Sequence, residues 1–115
     1  GISNLASFTG TCDIPSFIPD YFNGEPWERT AVYVEHSPVY QADGVTTPTL
    51  ILHGANDRRV PTSQGEEFYN ALRRQGCESM LVIYPRTTHS PSEPKFTMDV
   101  GRRIIDWFNS YLGRY

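Results

Sequence analysis

An aspartate and a histidine, Asp57 and His89, each follow a short apolar stretch and could act together as a catalytic pair. Asp57 lies in "HGANDRRVP", directly after "TLIL", and His89 ends "YPRTTH", directly after "MLVI". An imidazole removes a proton from a serine or cysteine nucleophile efficiently when a carboxylate fixes its tautomer. The alternative for Asp57 is a turn-forming or helix-capping side chain, and for His89 an exposed loop histidine.

The elements that must position this pair are predicted from residue 48 onward. Apolar runs predict strands at 49–53 and 79–84, and periodic patterns predict helices at 62–75 and 95–112. Thr62 or Ser63 is suited to cap the first helix, and the second carries an apolar residue every fourth position: Phe96, Val100, Ile104, Phe108 and Leu112. A right-handed crossover makes the two strands parallel, so the loops after both strands share one edge of the sheet. The order of elements alone therefore predicts that Asp57 and His89 lie on adjacent loops, where α/β sheets bind ligands.

Composition narrows the possible functions. The 115 residues are 38% hydrophobic and carry a net charge of −3, which indicates a globular chain without a basic surface for nucleic acid or anionic membrane. The apolar runs are too short for a membrane-spanning helix. Cys12 and Cys77 are predicted to be free thiols, and we expect a cytoplasmic location, no metal site and no cofactor.

The segments "TPTLILHGANDRRVP", "MLVIYPRTTHSPSEP" and "IIDWFNSYL" resemble the C-terminal end of the α/β-hydrolase domain of the prolyl oligopeptidase family of serine peptidases. The resemblance implies an α/β fold with parallel strands and crossover helices, in which residues 48–115 form a βαβα unit. Residues 1–47 resemble the segment that follows the nucleophile strand, and we expect loops and short helices there. In this family the corresponding Asp orients the catalytic His, which implies these roles for Asp57 and His89.

The remaining histidines are assigned by chain order. The triad of α/β-hydrolases runs in the order Ser, Asp, His, and only His89 follows Asp57. We expect His53 to be a buried imidazole bonded to backbone and His36 to be a loop or surface residue. Arg58 and Arg59 could attract a substrate carboxylate, but an ion-paired or solvated structural role is the stronger expectation.

A nucleophile is missing from the pattern. The elbow motif G-x-S-x-G occurs at none of the nine glycines: Gly1 is followed by Ser3 and Gly10 by Cys12, but neither has Gly at the fifth position. Ser3 also has no strand before it. We therefore expect the chain to be part of a longer enzyme that hydrolyses peptide or ester bonds, and to be inactive alone.

Two further expectations concern surfaces. Four aromatic residues could line an acyl-side pocket, with local core packing as the alternative: Phe17, Tyr21, Phe22 and Trp27. Two nearly continuous apolar strands are too few for an independent sheet, so the chain should self-associate or bind the upstream part of the hydrolase domain. The remaining alternatives are a carboxylesterase-type fragment and a non-catalytic, self-associating interaction module.

Overall fold

The computed structural model describes residues 1–113. In chain order the elements are α1 (Leu5–Thr11), α2 (Phe17–Phe22), α3 (Thr30–Glu35), a 3-10 turn (Pro38–Gln41), β1 (Thr49–Gly54), α4 (Thr62–Arg74), β2 (Ser79–Tyr84) and α5 (Pro94–Leu112). The two strands and the two long helices agree with the predicted bounds to within one residue at each end. The aperiodic first part of the chain forms only short helices and turns. No helix among the described residues is both long enough and apolar enough to cross a lipid bilayer.

The two strands form a parallel pair, as the crossover through α4 requires. Thr49 is opposite Ser79 at the start of the ladder, and Gly54 is opposite Tyr84 at its end. Both strands therefore end at the same edge of the sheet. The loop that carries Asp57 and the loop that carries His89 leave from this edge, side by side.

Helix α4 packs closely against β1 because it has a glycine where the two meet. A Cβ atom on Gly65 would lie 3.4 Å from Cγ2 of Ile51 and 2.7 Å from Nδ1 of His53. The expected side-chain cap on this helix was wrong: Pro61 occupies the N-cap position, and the hydroxyl of Thr62 donates instead to the carbonyl of Gly54, at 2.7 Å. The start of α4 is thus tied to the end of β1 rather than to its own backbone.

The first part of the chain is locked onto α4 by one buried amide. Oε1 of Gln64 accepts the backbone N–H groups of Ser3 and Asn4, at 3.1 and 2.8 Å, and its Nε2 donates to Oγ of Ser7 at 2.9 Å. Gln64 is fully buried, so these bonds satisfy a side chain that would otherwise be costly to desolvate. An apolar core also joins this part of the chain to the Asp57 loop: Leu5, Phe8, Ile18 and Tyr33 pack in one cluster with Val60.

Helix α5 contacts the sheet near its start but leaves much of its apolar face uncovered. The hydroxyl of Tyr84 donates to Asp99 at 2.9 Å, and the rings of Tyr84 and Phe96 lie 5.5 Å apart. Further along the predicted apolar face, Ile104, Phe108 and Leu112 are exposed. A groove of about 670 Å³ runs between α5, β1 and α4, with Leu50, Phe68, Ile104 and Phe108 among its apolar walls.

We predict that this uncovered surface drives association of the isolated chain. Burying a large apolar side chain contributes about 1.5–3 kcal/mol, and several such side chains are exposed together on α5. Sedimentation equilibrium at low micromolar concentration should therefore give a mass above the 13.1 kDa of one chain. Phe108→Asp should shift the population towards monomer.

The matched control is Asn109→Asp, which places the same charge on the same helix outside the walls of the groove. A compact monomer of 13.1 kDa that melts cooperatively would contradict the prediction.

Candidate active site

The two loops at the sheet edge are joined through their backbones. The N–H of Ala55 donates to the carbonyl of Tyr84 at 2.8 Å, and the N–H of Asn56 donates to the carbonyl of Thr87 at 2.9 Å. Gly54 makes this approach possible, because a Cβ atom there would lie 2.2 Å from the carbonyl oxygen of Thr88 and 2.3 Å from that of Thr87. No real side chain tolerates such distances, so the contact between the loops requires glycine.

Asp57 accepts two hydrogen bonds with different oxygens. Oδ1 accepts the backbone N–H of Val60 at 2.9 Å, which closes the turn into α4. Oδ2 lies 2.9 Å from Nδ1 of His89. The turn-forming role and the pairing role, which the sequence left as alternatives for this residue, are thus both present in one carboxylate.

The partner atoms fix the direction of the second bond. An ionised carboxylate can only accept, so Nδ1 of His89 carries the proton in this bond. In the neutral ring Nε2 is then the unprotonated nitrogen and is available to accept a proton. The Asp57 side chain is almost fully buried, whereas that of His89 is 60% exposed. A buried acid therefore holds an accessible base.

The pKa of Asp57 depends on both its burial and its hydrogen bonds. Burial raises the pKa of this carboxyl, but the hydrogen bonds from the Val60 N–H and from His89, with the nearby charge of His89, outweigh burial and lower it below the ordinary Asp value. The carboxyl is thus ionised at neutral pH, as an acceptor for an imidazole must be.

A cavity of about 290 Å³ adjoins the pair and is lined by Asp13, Asn56, Asp57, Arg58, Arg59, Thr88 and His89. Nε of Arg59 lies 2.7 Å from Oδ1 of Asp13, so this arginine has the expected structural role and ties residues 1–47 to the acid loop. The larger groove along α5 lies elsewhere and has no Asp, Glu, His, Lys or Arg side chain among its walls. The smaller cavity, unlike this groove, has both an acid and an imidazole among its walls.

The other predicted site residues are placed apart from this cavity. Phe22 belongs to the core, with its ring 5.1 Å from that of Tyr33, whereas Phe17, Tyr21 and Trp27 are exposed. None of the four lines the cavity beside the pair within the described residues. Their role in substrate binding stays a prediction.

Three residues that sequence reasoning considered have structural partners. His53 is buried with Nε2 2.7 Å from the carbonyl oxygen of Val60, which confirms the expected backbone bond. His36 is exposed beside the Phe22 ring. The hydroxyl of Ser3 is buried and donates to the backbone carbonyl of Gln64 at 2.6 Å, which does not suit a nucleophile.

Possible metal ligands and cysteines are the remaining reactive side chains. Residues 1–113 contain no group of three or more His, Cys, Asp or Glu side chains close enough to hold a metal ion. Cys12 and Cys77 are both free thiols, and Cys77 is buried.

One contact at the site was missed from the sequence. Nε2 of His53 lies 3.6 Å from Oδ2 of Asp57, so two imidazoles flank one carboxylate. The separation of His53 and Asp57 by four residues across a Gly turn was the available signal, but only the folded loop shows that the two side chains meet.

Comparison with known proteins gives a consistent match. The sequence profile of the prolyl oligopeptidase family matches residues 1–114. An uncharacterized peptidase of Bacillus subtilis, YuxL, is 36% identical over 115 residues, and the acylamino-acid-releasing enzyme of Homo sapiens is 33% identical over 121 residues. These alignments cover 96% and 97% of the chain but only 18% and 16% of the relatives.

Solved structures show the same relationship. The uncomplexed acylaminoacyl peptidase of Pyrococcus horikoshii superimposes on the whole chain with a TM-score of 0.89 and 26% identity, and 20% of that protein is covered. A puromycin-hydrolyzing peptidase of Mycobacterium tuberculosis gives a TM-score of 0.91 at 26% identity, with 18% of its length covered. The arrangement of strands and helices thus recurs in α/β-hydrolase peptidases.

We predict that the contact at Gly54 controls the geometry of the pair. Gly54→Ala should destabilise the chain by about 1–3 kcal/mol, the range typical of overpacking, because the added methyl collides with backbone carbonyls. Urea denaturation followed by circular dichroism measures this loss. Resonances of His89 and Thr88 should also shift in NMR spectra of the folded variant.

Gly10→Ala is the matched control, because a Cβ atom at Gly10 meets nothing within 4 Å and the residue lies in α1. The control should be neutral or slightly stabilising. Equal stability of the two variants would show that the loops do not depend on this glycine.

Proposed function

This chain belongs to the prolyl oligopeptidase family, and we propose that Asp57 and His89 are the acid and the base of a Ser-Asp-His triad. The 2.9 Å contact between Asp57 and His89 Nδ1 is the observation that carries the proposal. The carboxylate fixes the tautomer of the ring, and the exposed ring presents Nε2 as the base. Hydrolysis of peptide bonds, with ester bonds as a related substrate class, is the activity that such a pair serves.

In this mechanism the imidazole takes the proton of a serine hydroxyl while the oxygen attacks the carbonyl carbon of the substrate. The imidazolium that forms is stabilised by Asp57, which stays ionised, and it returns the proton to the leaving group. Water then repeats the sequence and releases the acyl group. The serine and the donors that stabilise the oxyanion belong, in this proposal, to a part of the hydrolase domain outside the 115 residues.

The absence of a suitable serine within the chain supports this division. Ser3 is buried and bonded to backbone, and no G-x-S-x-G elbow occurs in the sequence. Loss of the nucleophile lowers turnover by about 10⁶-fold in a well-studied serine protease. The acid and the base without their serine should therefore be inert.

A second candidate function is that of an interaction module. The uncovered face of α5 and the two-stranded sheet favour association with a second copy or with the remaining hydrolase domain. The two candidates differ in what they require: association needs the apolar surfaces, whereas hydrolysis needs the Asp57–His89 contact.

We also propose a reducing, cytoplasmic location for this protein, which the free thiols Cys12 and Cys77 support.

We predict that the 115-residue chain alone does not hydrolyse aminoacyl p-nitroanilides or p-nitrophenyl esters. The longest reading frame that contains the chain should hydrolyse them and react with a fluorophosphonate at a serine outside residues 1–115. In that protein His89→Ala should lower kcat by about 10⁶-fold and Asp57→Ala by about 10⁴-fold, as in a well-studied serine protease.

The matched control is His36→Ala, because His36 is exposed and lies outside the cavity of the pair. Its kcat should remain unchanged. Turnover by the isolated chain that disappears in His89→Ala, or labelling of Ser3 by the fluorophosphonate, would contradict the proposal.

A further inference from the structure

His53 is a buried titratable side chain that the proposed mechanism does not use. It lies on β1 next to the terminal Gly54, and only 5% of its surface is exposed. Its Nε2 is 2.7 Å from the carbonyl oxygen of Val60 and 3.6 Å from Oδ2 of Asp57. A carbonyl only accepts, so Nε2 of His53 is the donor.

The other ring nitrogen of His53 defines its protonation. Nδ1 is buried and has no hydrogen-bond partner within residues 1–113. It faces Gly65 of α4, where an added Cβ atom would lie 2.7 Å away. A proton on Nδ1 would bury a donor without an acceptor, which is costly. The contacts of the ring therefore place its donor proton on Nε2, facing the Val60 carbonyl.

Val60 connects this ring to the acid of the pair. Its carbonyl accepts from His53, and its N–H donates to Oδ1 of Asp57 at 2.9 Å. The Val60 side chain is buried in the core formed with Leu5 and Phe8. Three contacts thus hold one residue, and that residue holds one oxygen of the carboxylate.

We propose that His53 is a positioning residue for the Asp57–His89 pair, which acts by fixing Val60 so that Oδ2 of Asp57 faces Nδ1 of His89. The catalytic part of this inference rests on the proposed function, whereas the structural part does not. Without the Nε2 donor, the Val60 carbonyl loses its buried partner, and the turn from Asp57 to Val60 loosens.

The hydrogen bond from Val60 is also the strongest of the contacts that lower the pKa of Asp57. Loosening this bond should therefore raise the pKa of the carboxyl in the folded chain. The other charged or titratable groups near Asp57 are His53 itself, His89 and Arg59. Substitution of His53 removes one of these three groups and leaves His89 and Arg59 in place. His53→Leu and His53→Gln remove the imidazole equally, so only the hydrogen bond to the Val60 carbonyl distinguishes the two variants.

The first experiment measures the pKa of the Asp57 carboxyl by ¹³C NMR in the 115-residue chain. His53→Leu should raise this pKa towards the ordinary Asp value of about 3.9. His53→Gln should retain the low value, because the glutamine Nε2 can reach the Val60 carbonyl much as the imidazole Nε2 does. A merely structural role would lower the melting temperature and leave the pKa of the folded chain unchanged.

A second variant keeps the test decisive if His53→Leu does not fold. Gly65→Ala retains the His53 side chain but pushes its imidazole away from α4, since the added methyl would meet Nδ1. It too should raise the pKa of Asp57. An unchanged Asp57 pKa in a folded His53→Leu or Gly65→Ala variant would overturn the positioning role.

The second experiment uses the longest reading frame that contains the chain. His53→Leu should lower kcat by about 10²-fold with little change in KM, because a small misplacement of a catalytic group has a cost of this order, and His53→Gln should restore most of the loss. An unchanged kcat in an active protein would overturn the inference. If that protein is inactive even without substitutions, the proposed function fails, while the pKa measurement still decides the role of His53.

Discussion

The carboxylate of Asp57 accepts two hydrogen bonds at once, and the site depends on that double role. One oxygen closes the turn into α4 through Val60, and the other holds the imidazole of His89. Both bonds favour the charged form, which offsets the cost of burying the side chain and keeps its pKa low. A protonated or displaced Asp57 would release the turn and the imidazole together.

The parallel register explains why these groups meet. Because Gly54 is opposite Tyr84, the loops after both strands begin at the same level, and the missing Cβ of Gly54 lets the second loop lie on the first. The carbonyl of Gly54 also accepts from Thr62, so the start of α4 is fixed at the same place. The backbone at Gly54 thus fixes the end of β1, the start of α4 and the loop of His89 next to Asp57.

The sequence predicted the parts of this arrangement that depend on local pattern and chain order. Apolar runs marked the strands, and the crossover rule placed Asp57 and His89 at one edge. It did not predict contacts between residues distant in sequence, such as the buried amide of Gln64 that binds the start of the chain. The N-cap of α4 was also missed, because the Thr62 hydroxyl bonds to a strand carbonyl that only the folded chain brings near.

The tautomer of His89 is the direct measure of the central claim that Asp57 orients this ring. Long-range ¹H–¹⁵N NMR distinguishes a neutral imidazole protonated on Nδ1 from one protonated on Nε2. We predict the Nδ1-protonated form in the chain and the Nε2-protonated form in Asp57→Asn, where the carboxylate that selects the tautomer is lost. The Nε2-protonated form in the unsubstituted chain, or the same tautomer in both proteins, would contradict the account.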